Sequence, residues 1–260
     1  MWKGELKKMR LRSIVMMAVM AVLLTLVMTF KDWTVQEFSE ISKQLSEERI
    51  PKFLKKLMGS NTKLFAEKLR EDDFYLWSQW FGKNFGQFVP LISLIIAFPL
   101  FSREYERRTI YYLVTRVRRS KIYMCKFFVG LIALCFILLL FSILPLPISL
   151  MMGWKVRAEK FVGYTIQSLI GGVTFYSIFL LFSVLFNDQV KPILLGIATT
   201  VGVAFFGVSS KLDMLNLYSY IMSQNIFRNE GVDLLRSVIY TTFSAFMFGF
   251  SWIVFEKKEL

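Results

Sequence analysis

Six long runs without a charged side chain, 13–30, 84–102, 127–154, 161–187, 192–210 and 237–255, constrain this chain more than any other feature. About 20 residues of α-helix cross a hydrocarbon core roughly 30 Å thick, so each run is a candidate membrane span. The runs are continuous and do not alternate, which favours helices over the strands of a barrel. One all-apolar helix fits the centre of a soluble protein, but six in one chain do not. Composition agrees: 55% hydrophobic residues, 17% aromatics and a mean hydropathy of +0.50 over 260 residues exceed what an ordinary soluble domain carries. The expected fold is an all-α integral membrane protein, a bundle of six transmembrane helices with interfacial amphipathic helices in the first outer loop.

The first run follows Lys3, Lys7, Lys8, Arg10 and Arg12, the pattern that also opens a secretory signal peptide. Ser13 to Phe30 is longer than the usual apolar core of such a peptide, and Val27-Met28-Thr29-Phe30-Lys31 offers no small-x-small cleavage site. An uncleaved anchor is expected. The resulting layout is a basic terminus 1–12, span 13–30, outer loop 31–83, span 84–102, inner loop 103–126, and spans three to six with short loops over 127–260. The inner segments of that layout, 1–12, 103–126, 188–191 and 256–260, hold 16 of the 32 Lys/Arg but only six acids. That bias places both termini and the 103–126 loop on the cytoplasmic side of the cytoplasmic membrane, with Lys43 and Asn216 outside. Much of the formal charge of +13 is then a matter of topology and anionic lipid headgroups, and no nucleic-acid partner is expected.

Several chemistries are closed. Histidine is absent, the two cysteines are Cys125 and Cys135, and no metal-ligand spacing is present. Ten residues apart on one helix is about 15 Å, too far for a disulfide. No phosphate loop, nucleophile elbow or His-Glu-x-x-His motif occurs, so no nucleotide is hydrolysed by this chain alone and the chain is not read as an enzyme. No run carries an ionisable residue near its middle, which weakens an ion-coupled mechanism.

The outer loop opens with Thr34-Val-Gln-Glu37, a capping box ahead of Val35, Phe38, Ile41 and Leu45 at helical spacing. Pro51 with Phe53, Leu54, Leu57 and Met58 suggests a second amphipathic helix, and Leu64, Phe65 and Leu69 a third. Phe74, Tyr75, Trp77, Trp80 and Phe81 read as an aromatic belt. Gly82-x-x-x-Gly86, Ser168-x-x-x-Gly172 and Ala198-x-x-x-Gly202 permit close helix approach, and Pro90, Pro99, Pro145 and Pro147 should bend or break their helices. Gln87 and Gln167 are polar groups in the spans and possible path-lining residues. Short interfacial helices are expected over 211–236.

The island 103–126 mixes eight Lys/Arg and two acids, Glu104 and Glu106, with Ile110, Tyr111, Tyr112, Leu113, Val114 and Val117. Thr109 can cap a short helix and Ser120 the helix of the third span. Such a helix presents an apolar knob ringed by charge, suited to a groove in another protein. Surface pairing stabilises by at most about 1 kcal/mol, so the two acids point to a partner-facing role.

Glu104-x-Glu106-Arg107-x-Thr109-Ile110, then Leu113-Val114-Thr115, Arg119-Ser120-Lys121-Ile122 and Lys126, resembles the first cytoplasmic loop of type-2 ATP-binding-cassette transporter permeases. The basic N-terminus, large outer loop, six spans and charged Phe255-Glu256-Lys257-Lys258-Glu259-Leu260 end resemble the same family in outline. Arg108 stands where that family usually has Gly, and Arg116-Val117-Arg118 where it often has Pro-x-Ser. The resemblance implies a permease subunit, by family an exporter, paired with a second permease copy or homologous permease and with two copies of an ATP-binding cassette subunit. ATP and magnesium would be bound by that partner, and no cofactor by this chain. It also implies that Glu104, Glu106, Arg107, Thr109, Ile110, Leu113, Val114, Arg119 and Lys126 form the coupling interface. On the residues alone two other classes stay open: a secondary transporter or channel without an ATPase partner, and a nonconducting anchor or immunity-type protein.

Overall fold

A computed structural model describes residues 2–44, 67–206 and 214–259, with the backbone alone at 41–44. Among them there are helices and no strands: α1 (Trp2–Thr29), α2 (Lys31–Gln44), α3 (Asp72–Leu76), a π-helix (Trp77–Phe85), α4 (Gly86–Ala97), α5 (Ser102–Glu106), α6 (Thr109–Arg116), α7 (Arg119–Ile143), α8 (Pro145–Met151), α9 (Glu159–Leu185), α10 (Val190–Phe206), α11 (Leu217–Ile221), α12 (Gln224–Phe227) and α13 (Leu234–Lys257). Five stretches are long and apolar enough to cross a membrane: Trp2–Thr29, Asp72–Glu106, Arg119–Met151, Glu159–Leu185 and Leu234–Lys257. The chain is therefore an all-helical protein with five candidate spans. The sixth expected run is represented by α10, an apolar helix of 17 residues that reaches the edge of the described residues and is not among the five.

Side-chain contacts sort the helix ends into two groups. Lys8 meets Glu104, Arg119 meets the carbonyls of Glu256 and Lys258, and Lys258 meets that of Leu185. The start of α1, the 103–126 loop, the end of α9 and the C-terminal segment thus share one end of the bundle. At the other end Arg157 pairs with Asp73, and Lys160 donates to the Phe227 carbonyl. The stretches Asp72–Glu106 and α9 are largely buried, and they form the centre of the bundle. Their neighbours α1 and α13 keep most of their apolar surface outward, as lipid-facing helices do.

Several local expectations are corrected. The N-terminal basic stretch forms the first turns of α1. Thr34 does not cap a helix: α2 begins at Lys31, and the Thr34 hydroxyl donates to the Phe30 carbonyl at 2.7 Å. The helices expected from Pro51 through Phe65 lie outside the described residues. The helix that contains the second run begins at Asp72, upstream of 84, because Phe74 to Phe81 continue it. Its aromatics do not form an outward belt either. Phe74, Tyr75, Trp80 and Phe81 are buried, Phe81 against Phe161 and Tyr164, while Trp77 stacks on Phe227 at 4.3 Å. Leu217, Tyr220 and Ile221 are likewise buried in the bundle instead of lying on an interface.

Small residues do what their spacing suggests on α9. Gly171 is filled by Ile221 and Gly172 by Leu138 and Val89, so any side chain there would collide with a neighbouring helix. Gly202, by contrast, meets no neighbour among the described residues.

Pro99 and Pro145 interrupt their helices as expected, whereas Pro90 and Pro147 sit within α4 and α8; at the two interruptions the freed backbone groups are recaptured. At Pro99 the helix stops for Phe98–Phe101 and restarts at Ser102. Ser183 of α9 fills the gap: its hydroxyl accepts from the Phe101 and Ser102 amides at 3.0 and 3.3 Å and donates to the Phe98 carbonyl at 2.6 Å. At Pro145 the missing amide would have bonded the Phe141 carbonyl, and the buried Trp80 indole donates there instead, at 3.0 Å. Ser183→Ala strands two amides in an apolar interior and should lower stability by about 1–3 kcal/mol. Ser142→Ala, whose hydroxyl bonds only the Leu138 carbonyl of its own helix, should cost less than about 1 kcal/mol. Thermal unfolding of the purified chain in one detergent compares the two.

Candidate functional site

The 103–126 loop is two helix ends around one short helix. Helix α5 ends at Glu106, Arg107 and Arg108 turn the chain, and α6 starts at Thr109. Arg108 takes a left-handed conformation, φ 57°, which glycine adopts at no steric cost and arginine does not. Thr109 is the first residue of the helix and not its cap; its hydroxyl reaches the Glu104 carbonyl at 3.4 Å. Ser120 does not cap α7 either, since that helix already includes Arg119.

The acids and basic residues that look alike in sequence have different fates. Glu104 turns inward and is 5% exposed, Lys126 is 1% exposed, and the two meet at 2.8 Å. Glu5 and Lys8 of α1 complete the group: Lys126 lies 3.0 Å from Glu5, and Lys8 lies 2.9 Å from Glu5 and 2.7 Å from Glu104. Two cations and two carboxylates thus join α1, α5 and α7 with no net charge. Isolated charges would be costly at this depth, whereas a neutral, cross-linked quartet offsets much of the desolvation. One Glu104 oxygen, Oε2, has no hydrogen-bond partner among the described residues.

Glu106 is exposed and accepts from the Gln189 amide at 2.7 Å, which links the loop to the turn after α9. Ile110 is fully buried, with Leu113, Val114 and Val117 packed partly against the core. Arg107, Tyr111 and Tyr112 stay exposed. Arg119 does not face outward as a docking charge: one of its guanidinium nitrogens donates to the carbonyls of Glu256 and Lys258, each at 2.8 Å. Lys258 in turn donates to the carbonyls of Val184 and Leu185, and its ammonium sits 3.9 Å from the centre of the Tyr105 ring. The C-terminal segment therefore straps the loop to the end of α9.

The two glutamines do not come together. Gln87 lies on the exposed face of α4, whereas Gln167 is buried with its carbonyl oxygen unpartnered among the described residues. Sequence reasoning treated Glu5, Lys8 and Lys258 only as topology charges. The available signal was Glu5, a single acid among five basic residues, placed three before Lys8. Among the described residues no group of His, Cys, Asp and Glu could hold a metal ion, and both cysteines are free.

Lys126→Met removes one buried cation and leaves Glu5 and Glu104 to share Lys8. A loss of about 3–5 kcal/mol is expected, against less than about 1 kcal/mol for Lys121→Met on the exposed side of the same helix, read as thermal midpoints. A second expectation concerns pH. Burial pushes the Lys258 ammonium from an ordinary 10.5 down to about 8. Between those values the unfolded chain binds the extra proton, so this group's contribution to stability rises as pH climbs through that window. Acylation of Lys258, read by mass spectrometry across pH, should reach half its maximum near 8.

A family model described as ABC-2 family transporter protein matches residues 2–207. No curated protein and no solved structure matches the chain.

Proposed function

The chain belongs to the ABC-2 transporter family, and from that membership we propose an exporter subunit driven by ATP that separate subunits hydrolyse. Membership makes it a membrane-spanning permease of an ATP-binding-cassette transporter. In the proposed assembly two such permease chains, identical or homologous, span the cytoplasmic membrane, and two ATP-binding subunits bind at the end that carries both termini. That end is cytoplasmic in this reading, on the strength of its excess of Lys/Arg. The chain between α9 and α11 then crosses the membrane a sixth time through α10. Its neighbours on either side are held at opposite ends, Gln189 by Glu106 and Met214 by Tyr240.

One observation carries the reading: α6 is anchored at its base and bare on its outer side. Ile110 is fully buried, while Tyr111 and Tyr112 are 48% and 73% exposed, with Arg108, Thr115 and Arg118 also exposed around them. Aromatic side chains on a fixed helix are typical anchors of a protein interface. Movement of a partner bound there would pass along the buried foot of α6 into the Glu5, Lys8, Glu104 and Lys126 quartet, and so into α1 and α7.

The experiment uses a candidate ATP-binding cassette subunit and sealed membrane vesicles of known sidedness. The subunit should bind inside-out vesicles, and its ATPase rate should rise on binding, while right-side-out vesicles should give neither result. Tyr111→Ala should weaken association about 30-fold, the equivalent of about 2 kcal/mol at an interface anchor, with abundance unchanged. Binding only to right-side-out vesicles would overturn the orientation, and undiminished binding by the variant would overturn the docking face.

A further inference from the structure

The quartet forms one wall of a cavity of about 350 Å³ between α1, the α5–α6 turn and one face of α6, a volume at the small end of ligand pockets. Its lining carries six cations and two carboxylates. Both carboxylates, Glu5 and Glu104, are already paired with Lys8 and Lys126. Four arginines remain, Arg12, Arg103, Arg107 and Arg116, brought together from separate elements, and none has an ion pair or side-chain hydrogen bond among the described residues. Arg12 is half-buried over the Phe98 ring at 5.7 Å and lies close enough to Arg103 and Arg107 for their charges to repel. Leu100 and Leu113 supply apolar wall. The fold therefore gathers like charges in a partly desolvated recess, an arrangement that a multivalent anion would relieve.

We propose that this cavity binds the phosphoryl headgroup of an anionic phospholipid, wedged between α1 and α6 and held by Arg12, Arg103, Arg107 and Arg116. Guanidinium groups match phosphate oxygens in pairs of parallel hydrogen bonds, which a single carboxylate would satisfy only for one arginine. The source follows from position. The cavity sits where the spans end, and one residue before Arg12 the apolar surface turns outward, Leu11 being 72% exposed. A lipid can leave its chains on that surface and bring its phosphate to the recess, and basic segments at this level attract anionic lipid. The inference goes beyond the transport reading and does not rest on it. A bound headgroup would tie the first helix to α6 and make the position of α6 depend on lipid composition.

The purified full chain is placed in nanodiscs of phosphatidylcholine containing phosphatidylglycerol at rising mole fraction. Lipid retained after mild delipidation is then read by native mass spectrometry. The parent chain should retain phosphatidylglycerol preferentially, and Arg103→Gln with Arg107→Gln should weaken that preference about tenfold. Arg118→Gln with Lys121→Gln, the same charge change on exposed positions outside the cavity, should leave it unaltered. Thermal midpoints in phosphatidylcholine alone check folding, and Arg116→Gln, on the exposed rim of α6, provides an independent variant with a loss of at least about threefold. Equal losses in the cavity and control variants, or no loss in either, overturn the site. Competition with inorganic phosphate and with glycerol phosphate distinguishes the sources: displacement of the lipid by either at millimolar concentration would make this a soluble-phosphate site and overturn the lipid assignment.

Discussion

In hydrocarbon a backbone amide or carbonyl has no water to fall back on, so every helix interruption within the bilayer must be closed by the chain itself. The rest of this architecture follows from how that is done. Pro99 interrupts the helix between the second span and the loop, and the Ser183 hydroxyl closes the break. Pro145 ends α7, and the Trp80 indole closes that one. In both cases the group that satisfies the broken backbone comes from a different helix. Repair and tertiary packing are thus the same contact, and the Asp72–Glu106 stretch is tied to α9 at one break and to α7 at the other. The glycine contacts of α9 with Ile221 and Leu138 supply the close approach that such short bonds require.

The charged end obeys the same rule with ions in place of amides. Glu104 and Lys126 tolerate burial because each meets an opposite charge, and because Glu5 and Lys8 bring the total to zero. The surplus arginines, left without carboxylates, are displaced into the adjoining recess. One loop thus holds two electrostatic regimes, a neutral cross-link that fixes three helices and a cationic recess beside it.

How much of this was legible in the sequence differs by kind of information. Apolar runs are averages over many residues, and they located the long helices and the loop between them. Ile110, Leu113 and Val114 fell where a short amphipathic helix needs its apolar side. The inward or outward turn of a single charge is decided by what the neighbouring helix offers, and the sequence of the loop alone does not contain α1. For that reason Glu104 and Glu106, two residues apart, were given one role, although Glu104 finds two lysines inside and Glu106 stays at the surface. The same holds for Arg119, whose acceptors are 137 and 139 residues away. The helix of the second run starts before the apolar stretch does, because Asp72, Asp73 and Lys83 lower the hydropathy of a segment that is helical throughout. The unusual arginine at 108 was visible as a departure from the family pattern, and its left-handed backbone supplies the physical reason glycine is common there.

The clamp between Arg119 and the last helix is built from a side chain on one side and main-chain carbonyls on the other. Every residue type carries a carbonyl, so changes in the side chain of Glu256 leave its acceptor in place. One nitrogen of the Arg119 guanidinium serves both carbonyls, so the loop side of the joint rests on a single side chain. The Arg119 joint is consequently one-sided, with a side chain from the loop and main-chain carbonyls from the strap. The strap is held by a side chain at each of two positions, Arg119 in the loop and Lys258 in the strap itself, and Glu256 enters the Arg119 joint through its main chain alone.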